Sequence, residues 1–191
     1  MQMYKFQLYE EMKECKNLNL TEVCMVSQVK TIIHDLEEKY DVILGEKCGK
    51  IISANGKYAP CQGCFGCWTK HPARCFMKDT LQTVCRVVGS ADEVIIITEN
   101  CFGAYSPAVK NVLDRSIGLS TPFSTYRGKQ MHHTLRYGKK NKLTVYVYGN
   151  ITEKEKETFH YMVERNAINF GFKDFAFQYI ESLDKLKEMI V

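Results

Sequence analysis

Cys61-Gln-Gly-Cys64-Phe-Gly-Cys67 is followed by Cys75, giving spacings of two, two and seven intervening residues. Three thiolates two residues apart can converge from one tight loop, and Gly63 and Gly66 let that loop curl without Cβ clashes. A fourth thiolate arriving after a short excursion would complete a tetrahedral set, which suits an iron–sulfur cluster or a zinc ion. The compact repeat favours the cluster, because zinc sites more often separate two CxxC pairs by a longer stretch. The plainer alternative is a set of unmetallated thiols that shape a loop. The chain carries nine cysteines, an odd number, and its first residues lack the cationic-then-apolar pattern of a secretory signal. A disulfide framework is therefore not expected. Cys24 and Cys85, which fall in helix-like stretches, read as small buried filler.

The rest of the composition sets limits on what this cysteine loop can belong to. At 191 residues, with 45% hydrophobic and 25% charged residues, the chain is sized for one well-buried domain spanning 1–191. No apolar run approaches the ~20 residues needed to cross a bilayer, so the expectation is a cytoplasmic protein with no membrane partner. Lys and Arg exceed Asp and Glu by 26 to 22. The densest patch, Lys139-Lys140-Asn-Lys142, reads as a polar loop before a strand, so no nucleic-acid partner is expected.

Periodicity supplies the elements that would position the loop. Tyr4–Tyr9 alternates as an opening strand. From Thr21, Val26, Val29, Ile33 and Leu36 recur at helical spacing, and Asp41–Leu44 reads as a short strand. Gly45 to Pro60 looks irregular, with a turn at Asn55-Gly56. Met77 to Val88 can form a helix, and Glu93–Thr98 has the unbroken β-branched run of a central parallel strand. Ser106-Pro107 starts a helix with Val109, Val112, Leu113 and Ile117 on its buried stripe. Leu119 to Asn141 shows no clear period, and Leu143–Tyr148 is another strand. Thr152 and Glu155 have capping-box spacing for a helix carrying Phe159, Met162, Val163 and Ala167 and ending near Gly171. Phe175–Tyr179 is the last strand, and Ser182 opens a closing helix with Leu183, Leu186 and Ile190. This alternation predicts an α/β fold with a five-stranded parallel sheet and helices on both faces.

Across residues 58–138 the chain resembles the flavodoxin-like NAD(P)H-dependent FMN reductases, especially the branch that includes the iron–sulfur flavoproteins. The resemblance is carried by Cys61-Gln-Gly-Cys64-Phe-Gly-Cys67-Trp68, Cys75-Phe-Met-Lys78-Asp79, Ala91-Asp92 and Phe102-Gly-Ala-Tyr-Ser106. It continues through Lys110, Asp114-Arg115, Met131-His132-His133 and Arg136-Tyr137. It implies a doubly wound sheet of order 2-1-3-4-5 with FMN beyond the carboxyl ends of the strands, an NAD(P)H co-substrate, and a cluster on Cys61, Cys64, Cys67 and Cys75. The loop Thr98–Ser106 would then lie against the isoalloxazine ring. Asn100 and main-chain groups would bond the ring edge, Gly103 would allow close approach, and Phe102 or Tyr105 would pack on the ring. Gly149 and Asn150 would approach from the other side. The structural alternative is an ordinary strand-to-helix turn in which Ser106 only caps the helix.

Two departures from the family pattern matter. The stretch Glu10–Leu20, placed after the opening strand, has neither glycine nor serine, and Glu10, Glu11 and Glu14 would repel a phosphate. In the ring loop, Glu99 and Cys101 replace the usual proline and aromatic. A degenerate flavodoxin-fold protein without flavin, serving as a metal-binding or interaction module, is the competing reading. Phe123, Tyr126, His132, His133 and Arg136 would pack at a subunit interface or cover a flavin, and the resemblance implies a homodimer or higher homo-oligomer. Structural roles for the two histidines are the simpler expectation.

Overall fold

The computed structural model describes residues 29–45, 49–138, 140–183 and 186. The expected strand at Tyr4–Tyr9, the stretch Glu10–Leu20 and most of the closing helix after Ser182 lie outside them.

The first described strand, β1, is Lys30–His34. Helix α1 (Lys39–Gly45) and strand β2 (Lys50–Ser53) follow. Helix α2 (Val84–Ser90) precedes β3 (Glu93–Glu99), and α3 (Pro107–Arg115) runs into a 3-10 turn at Ser116–Leu119. A hairpin of β4 (Ser120–Arg127) and β5 (Gln130–Leu135) leads to β6 (Lys140–Tyr148). Helix α4 (Glu153–Phe170) and strand β7 (Phe172–Tyr179) complete the described elements. The main sheet has the order β2-β1-β3-β6-β7, with each neighbouring pair parallel. Counted along this sheet alone the order is 2-1-3-4-5, the flavodoxin-like doubly wound arrangement.

Alternation along the strands sorts the core into two layers. Ile33, Val94, Ile96, Leu143, Val145 and Val147 face α2, α3 and α4, where Val88, Val109, Val112, Phe159 and Val163 meet them. On the other face, Ile32, Ile95, Ile97 and Tyr146 pack with Leu36, Leu44, Ile180 and Leu186.

Several sequence expectations require correction. The helical reading through Ile33 and Leu36 gives way to β1. Thr31, Ile32, Ile33 and His34 are all fully buried because β1 is sandwiched between β2 and β3, and a strand buried on both faces can mimic helical spacing over so short a run. Asp41–Leu44 is helical, opened by turns in which the Tyr40 and Asp41 amides donate to the carbonyls of Glu37 and Glu38. A crossover is required there, since β1 and β2 run parallel. The supposedly irregular 45–60 segment holds the edge strand β2. The helix expected from Met77 begins only at Val84, because Asp79 turns the preceding segment by accepting from the Leu81 amide at 3.0 Å. The aperiodic excursion 119–141 contains the β4–β5 hairpin, whose largely exposed side chains leave no alternation to detect. Strands β3, β6 and β7, helix α3 and the Thr152–Glu155 capping box match expectation. Gly171 ends α4 at φ 80°.

Candidate functional site

The carboxyl ends of β1, β3 and β6 form the crest of the sheet, and one carboxylate sits at their junction. Asp35, the first residue past β1, accepts from the Thr98 hydroxyl at 3.0 Å, from the Glu99 amide at 3.0 Å and from the Tyr148 hydroxyl at 2.9 Å. Burial, with the Asp35 charge beside it, pushes the Tyr148 phenol well above its ordinary pKa, so it stays a donor. Behind Asp35, His34 is fully buried, with Nε2 3.0 Å from the Asp41 carboxylate. Desolvation holds its pKa below the ordinary histidine range, against the opposing pull of Asp41 and Asp35.

Above this junction the loops after β3 and β6 are tied together. The Asn100 amide nitrogen of the main chain donates to the Tyr148 carbonyl at 2.8 Å. Its side chain donates to the Asn150 carbonyl at 2.7 Å and accepts from the Gly103 amide at 3.0 Å. Cys101 and Ala104 exchange main-chain hydrogen bonds at 3.0 and 3.1 Å, closing a tight turn. Phe102, at its tip, is 90% exposed and holds φ 53°. Gly103 allows this turn to press on α4, since a Cβ there would stand 3.2 Å from the Glu155 backbone.

The candidate residues of this loop therefore divide. Asn100, Phe102, Gly103, Gly149 and Asn150 lie in the two crest loops. Thr98 is buried and spends its hydroxyl on Asp35 while accepting from the Ser106 amide at 3.0 Å. Ser106 caps α3 through the Val109 amide at 3.3 Å. Tyr105 is buried, lies edge-on to Phe159 at 5.1 Å and receives the Asn166 side chain at 3.3 Å. Burial pushes its phenol up to about 12.

The cysteine loop lies elsewhere, against the helix ends and the hairpin. Cys61, Cys64, Cys67 and Cys75 line one cavity of about 60 Å³ with Phe65, Phe76, Met77, Arg115 and Ile117 among its walls. Long-range clamps hold this loop. The Trp68 indole donates to the Ile117 carbonyl at 2.9 Å. Arg136 donates to the Trp68 carbonyl at 2.7 Å and the Gly118 carbonyl at 3.1 Å. His133 lies on the Trp68 ring at 4.6 Å, while His132 bonds Asn169 at 2.9 Å. Cys67 is drawn down to about 7, first by a hydrogen bond from Cys85 and then by the nearby Arg136 and Arg115 charges. Cys85 is pushed up by the same contact and by burial. Among the described residues, no three His, Cys, Asp or Glu side chains are grouped closely enough to hold a metal ion. As placed, the four cysteines are free thiols around a shared cavity.

Sequence reasoning missed Asp35, Tyr148 and His34 as crest residues. The signal was present: β1 ends in a histidine and is followed by an aspartate, where a purely structural strand would continue apolar.

Solved structures share this architecture. Azoreductase AzrA aligns at TM-score 0.54 and 13% identity over 85% of this chain and 93% of its own. An FMN-dependent NADH-azoreductase from Bacillus anthracis str. Ames Ancestor, in complex with FMN, gives 0.52 and 11% over 85% and 94%. An NADPH-quinone reductase from P. pentosaceus gives 0.50 and 10% over 85% and 93%. At such identities the likeness establishes the flavodoxin-like fold. No protein-family model and no curated protein matches the sequence.

Whether the crest suits FMN has two answers. The ring side fits: two loops with main-chain polar groups and an exposed aromatic meet at the doubly wound sheet's ligand-binding edge. The phosphate side does not. The residues directly after β1 are Asp35, Leu36, Glu37 and Glu38, where a phosphate needs N–H groups and hydroxyls at a helix start. Glu37 and Glu38 are exposed and paired to Lys39 at 2.8 Å and Lys57 at 3.2 Å.

Proposed function

We propose that the protein is a flavin-dependent oxidoreductase that moves electrons from NAD(P)H to an acceptor. The observation that carries this reading is the joining of the β3 and β6 loops through Asn100, which holds Phe102 exposed at the crest of a doubly wound sheet. A flavin bound there would supply hydride acceptance and onward electron release. The chain's own part is positional. Asn100 and the Gly103 and Gly149–Asn150 backbone set the shape of the ring edge, Phe102 offers an apolar face, and Asp35 with Tyr148 fixes the floor. The aligned structures, azoreductases and a quinone reductase, support the same class of chemistry. The test is anaerobic mixing of purified protein with flavin and NADH or NADPH. Flavin-dependent oxidation of the nicotinamide supports the reading, and no quenching of flavin fluorescence by the protein overturns it.

The cysteine cavity favours a second reading, that of a redox or metal module built on Cys61, Cys64, Cys67 and Cys75. Iron and acid-labile sulfide in anaerobically purified protein would support the cluster form of it; neither element present would leave the thiols as a structural loop. For assembly we propose a homodimer that covers the exposed Phe123, Tyr126 and Met131 of the hairpin.

A further inference from the structure

We propose that Asp35 is a built-in anion standing in for the ligand's phosphate, so that this chain recognises a flavin by its ring and takes riboflavin at least as well as FMN. The proposal rests on the flavin reading above and narrows it to a phosphate-independent ligand.

On a doubly wound sheet, an incoming phosphate is held where the first strand ends, by oriented N–H and O–H donors. Here three such donors converge on one carboxylate of the chain itself: the Thr98 hydroxyl, the Glu99 amide and the Tyr148 hydroxyl. They come from the tips of β3 and β6, and Asp35 reaches them from the tip of β1. The donor set of an anion site is thus present and already used.

The partners of Asp35 are neutral, and among the described residues no lysine or arginine forms an ion pair with it. Its negative charge therefore faces any second anion brought to the same corner. A phosphate dianion a few ångströms away, at an effective dielectric of about 20 to 40, loses at least tenfold in affinity. Glu37 and Glu38 lie on the same turn, each with its charge offset by a paired lysine. Three amides of the same turn are engaged as well. Asp35 donates to the Ile97 carbonyl at 3.3 Å, and Tyr40 and Asp41 close the turns at the start of α1. Helix α1 has seven residues, too short to offer an anion site of its own. The ring-side loops make no use of Asp35's charge and are left as the recognition surface.

The experiment is a fluorescence-quenching titration of the purified protein with FMN and with riboflavin at physiological salt, repeated with 20 mM inorganic phosphate (about physiological ionic strength overall). The expected result is a riboflavin Kd equal to or below that of FMN, with riboflavin binding unmoved by phosphate. In Asp35→Asn, which keeps the shape and removes the charge, the preference should shift towards FMN by about tenfold. A wild-type protein that binds FMN ten times more tightly than riboflavin overturns the proposal and leaves the flavin reading standing. Binding of neither flavin overturns both. If Asp35→Asn melts too early to titrate, the wild-type comparison alone decides.

Discussion

Arg115 closes on Asp79 with both of its terminal nitrogens, Nη1 to Oδ2 at 2.8 Å and Nη2 to Oδ1 at 2.7 Å. Arg115 is almost fully buried, and Nη1 also donates to the Ala59 carbonyl at 2.7 Å. This fork joins the end of α3 to the turn beyond Cys75 and to the residue just before Pro60, so it brackets the cysteine loop at both ends. The Arg115 guanidinium holds the Asp79 carboxyl below the usual carboxylate range. Removing Arg115 leaves the Asp79 carboxylate, itself partly open to solvent, without its charge-assisted hydrogen bonds, at about 1 to 3 kcal/mol. Arg115→Met should lower stability by that order and loosen the cysteine loop, read as a fall in denaturation midpoint and faster alkylation of Cys61 and Cys75. The pair's contribution should be full above the unfolded carboxylate pKa and fade as the pH drops through the depressed folded value. An unchanged midpoint in Arg115→Met at pH 7 would refute the bracket.

Gly118 lies over two sulfurs. A Cβ added there would stand 2.8 Å from the Cys85 sulfur and 2.9 Å from the Cys67 Cβ. Gly118→Ala should therefore cost about 1 to 3 kcal/mol through overpacking. In the native protein, alkylation of Cys67 should rise with a midpoint at about 7, while Cys85, fully buried, should not react. Because the Cys85 hydrogen bond is the largest cause of the lowered value, Cys85→Ala should move the Cys67 midpoint up towards about 8.5. Peptide mass mapping after timed alkylation reads both, and a Cys67 midpoint that stays put in Cys85→Ala would show that the arginines set it.

Pattern carried the elements whose two faces differ or whose ends are chemically marked. Strand β3 was plain in its β-branched run, and α4 in its capping box and Gly171. Strand β1 was not, because four consecutive buried residues carry no period of two. The hairpin was hidden for the opposite reason, as its faces are both largely wet. In the site, local spacing pointed to Asn100, Gly103 and the cysteine loop. It could not indicate that Tyr105 turns inward, since that depends on Phe159 and Asn166, more than fifty positions away. Nor could it indicate that Asp35 meets Tyr148, a contact made only when β1, β3 and β6 align. The residues that carried the family resemblance also acquire structural work here. Asp79, Arg115, Trp68, His133 and Arg136 fasten the cysteine loop to the body of the fold.

Lys140 is 2% exposed, with its ammonium over the Phe172 ring at 5.6 Å. Burial lowers its pKa to about 8. Its folded value lies below its unfolded one, so the unfolded chain binds more protons between those values, and stability should rise as the pH climbs from about 8 towards 10. Lys140→Met removes the cost of the buried charge and should stabilise by about 2 kcal/mol at pH 7, an advantage that narrows with rising pH. Urea unfolding at pH 7 and pH 9.5 measures it, and a destabilised variant at pH 7 would mean the ammonium is better compensated than its surroundings indicate.

The hairpin exposes Phe123, Tyr126 and Met131, each more than 60% accessible. The hairpin is nonetheless anchored firmly: Arg127 donates to the carbonyls of Ile168 and His133, and the His132 ring bonds Asn169. An anchored ribbon with apolar side chains on display is a surface that a second copy can cover. Light scattering should give twice the chain mass for the native protein. The Phe123→Ser, Tyr126→Ser, Met131→Ser triple variant should shift towards monomer with its thermal midpoint, extrapolated to low concentration, unchanged. A monomeric native protein at micromolar concentration would remove the hairpin from consideration.

The Asn100 side chain acts in one half of the crest only. It bridges Gly103 and Asn150, and neither bond contributes to the Asp35 floor, where Thr98, Glu99 and Tyr148 make theirs. Asn100→Ala should therefore weaken flavin binding without shifting the FMN-to-riboflavin ratio. The loss expected from freeing two loops, each bond worth about 1 kcal/mol, is roughly tenfold to thirtyfold in Kd. Phe102→Ala removes an exposed side chain and leaves the loop's hydrogen bonds intact, so it should weaken binding with no change in melting temperature. Fluorescence titrations of both variants beside their thermal melts make the distinction. If Phe102→Ala binds flavin as the native chain does, the exposed ring is not a contact and the flavin must be gripped by the main chain alone.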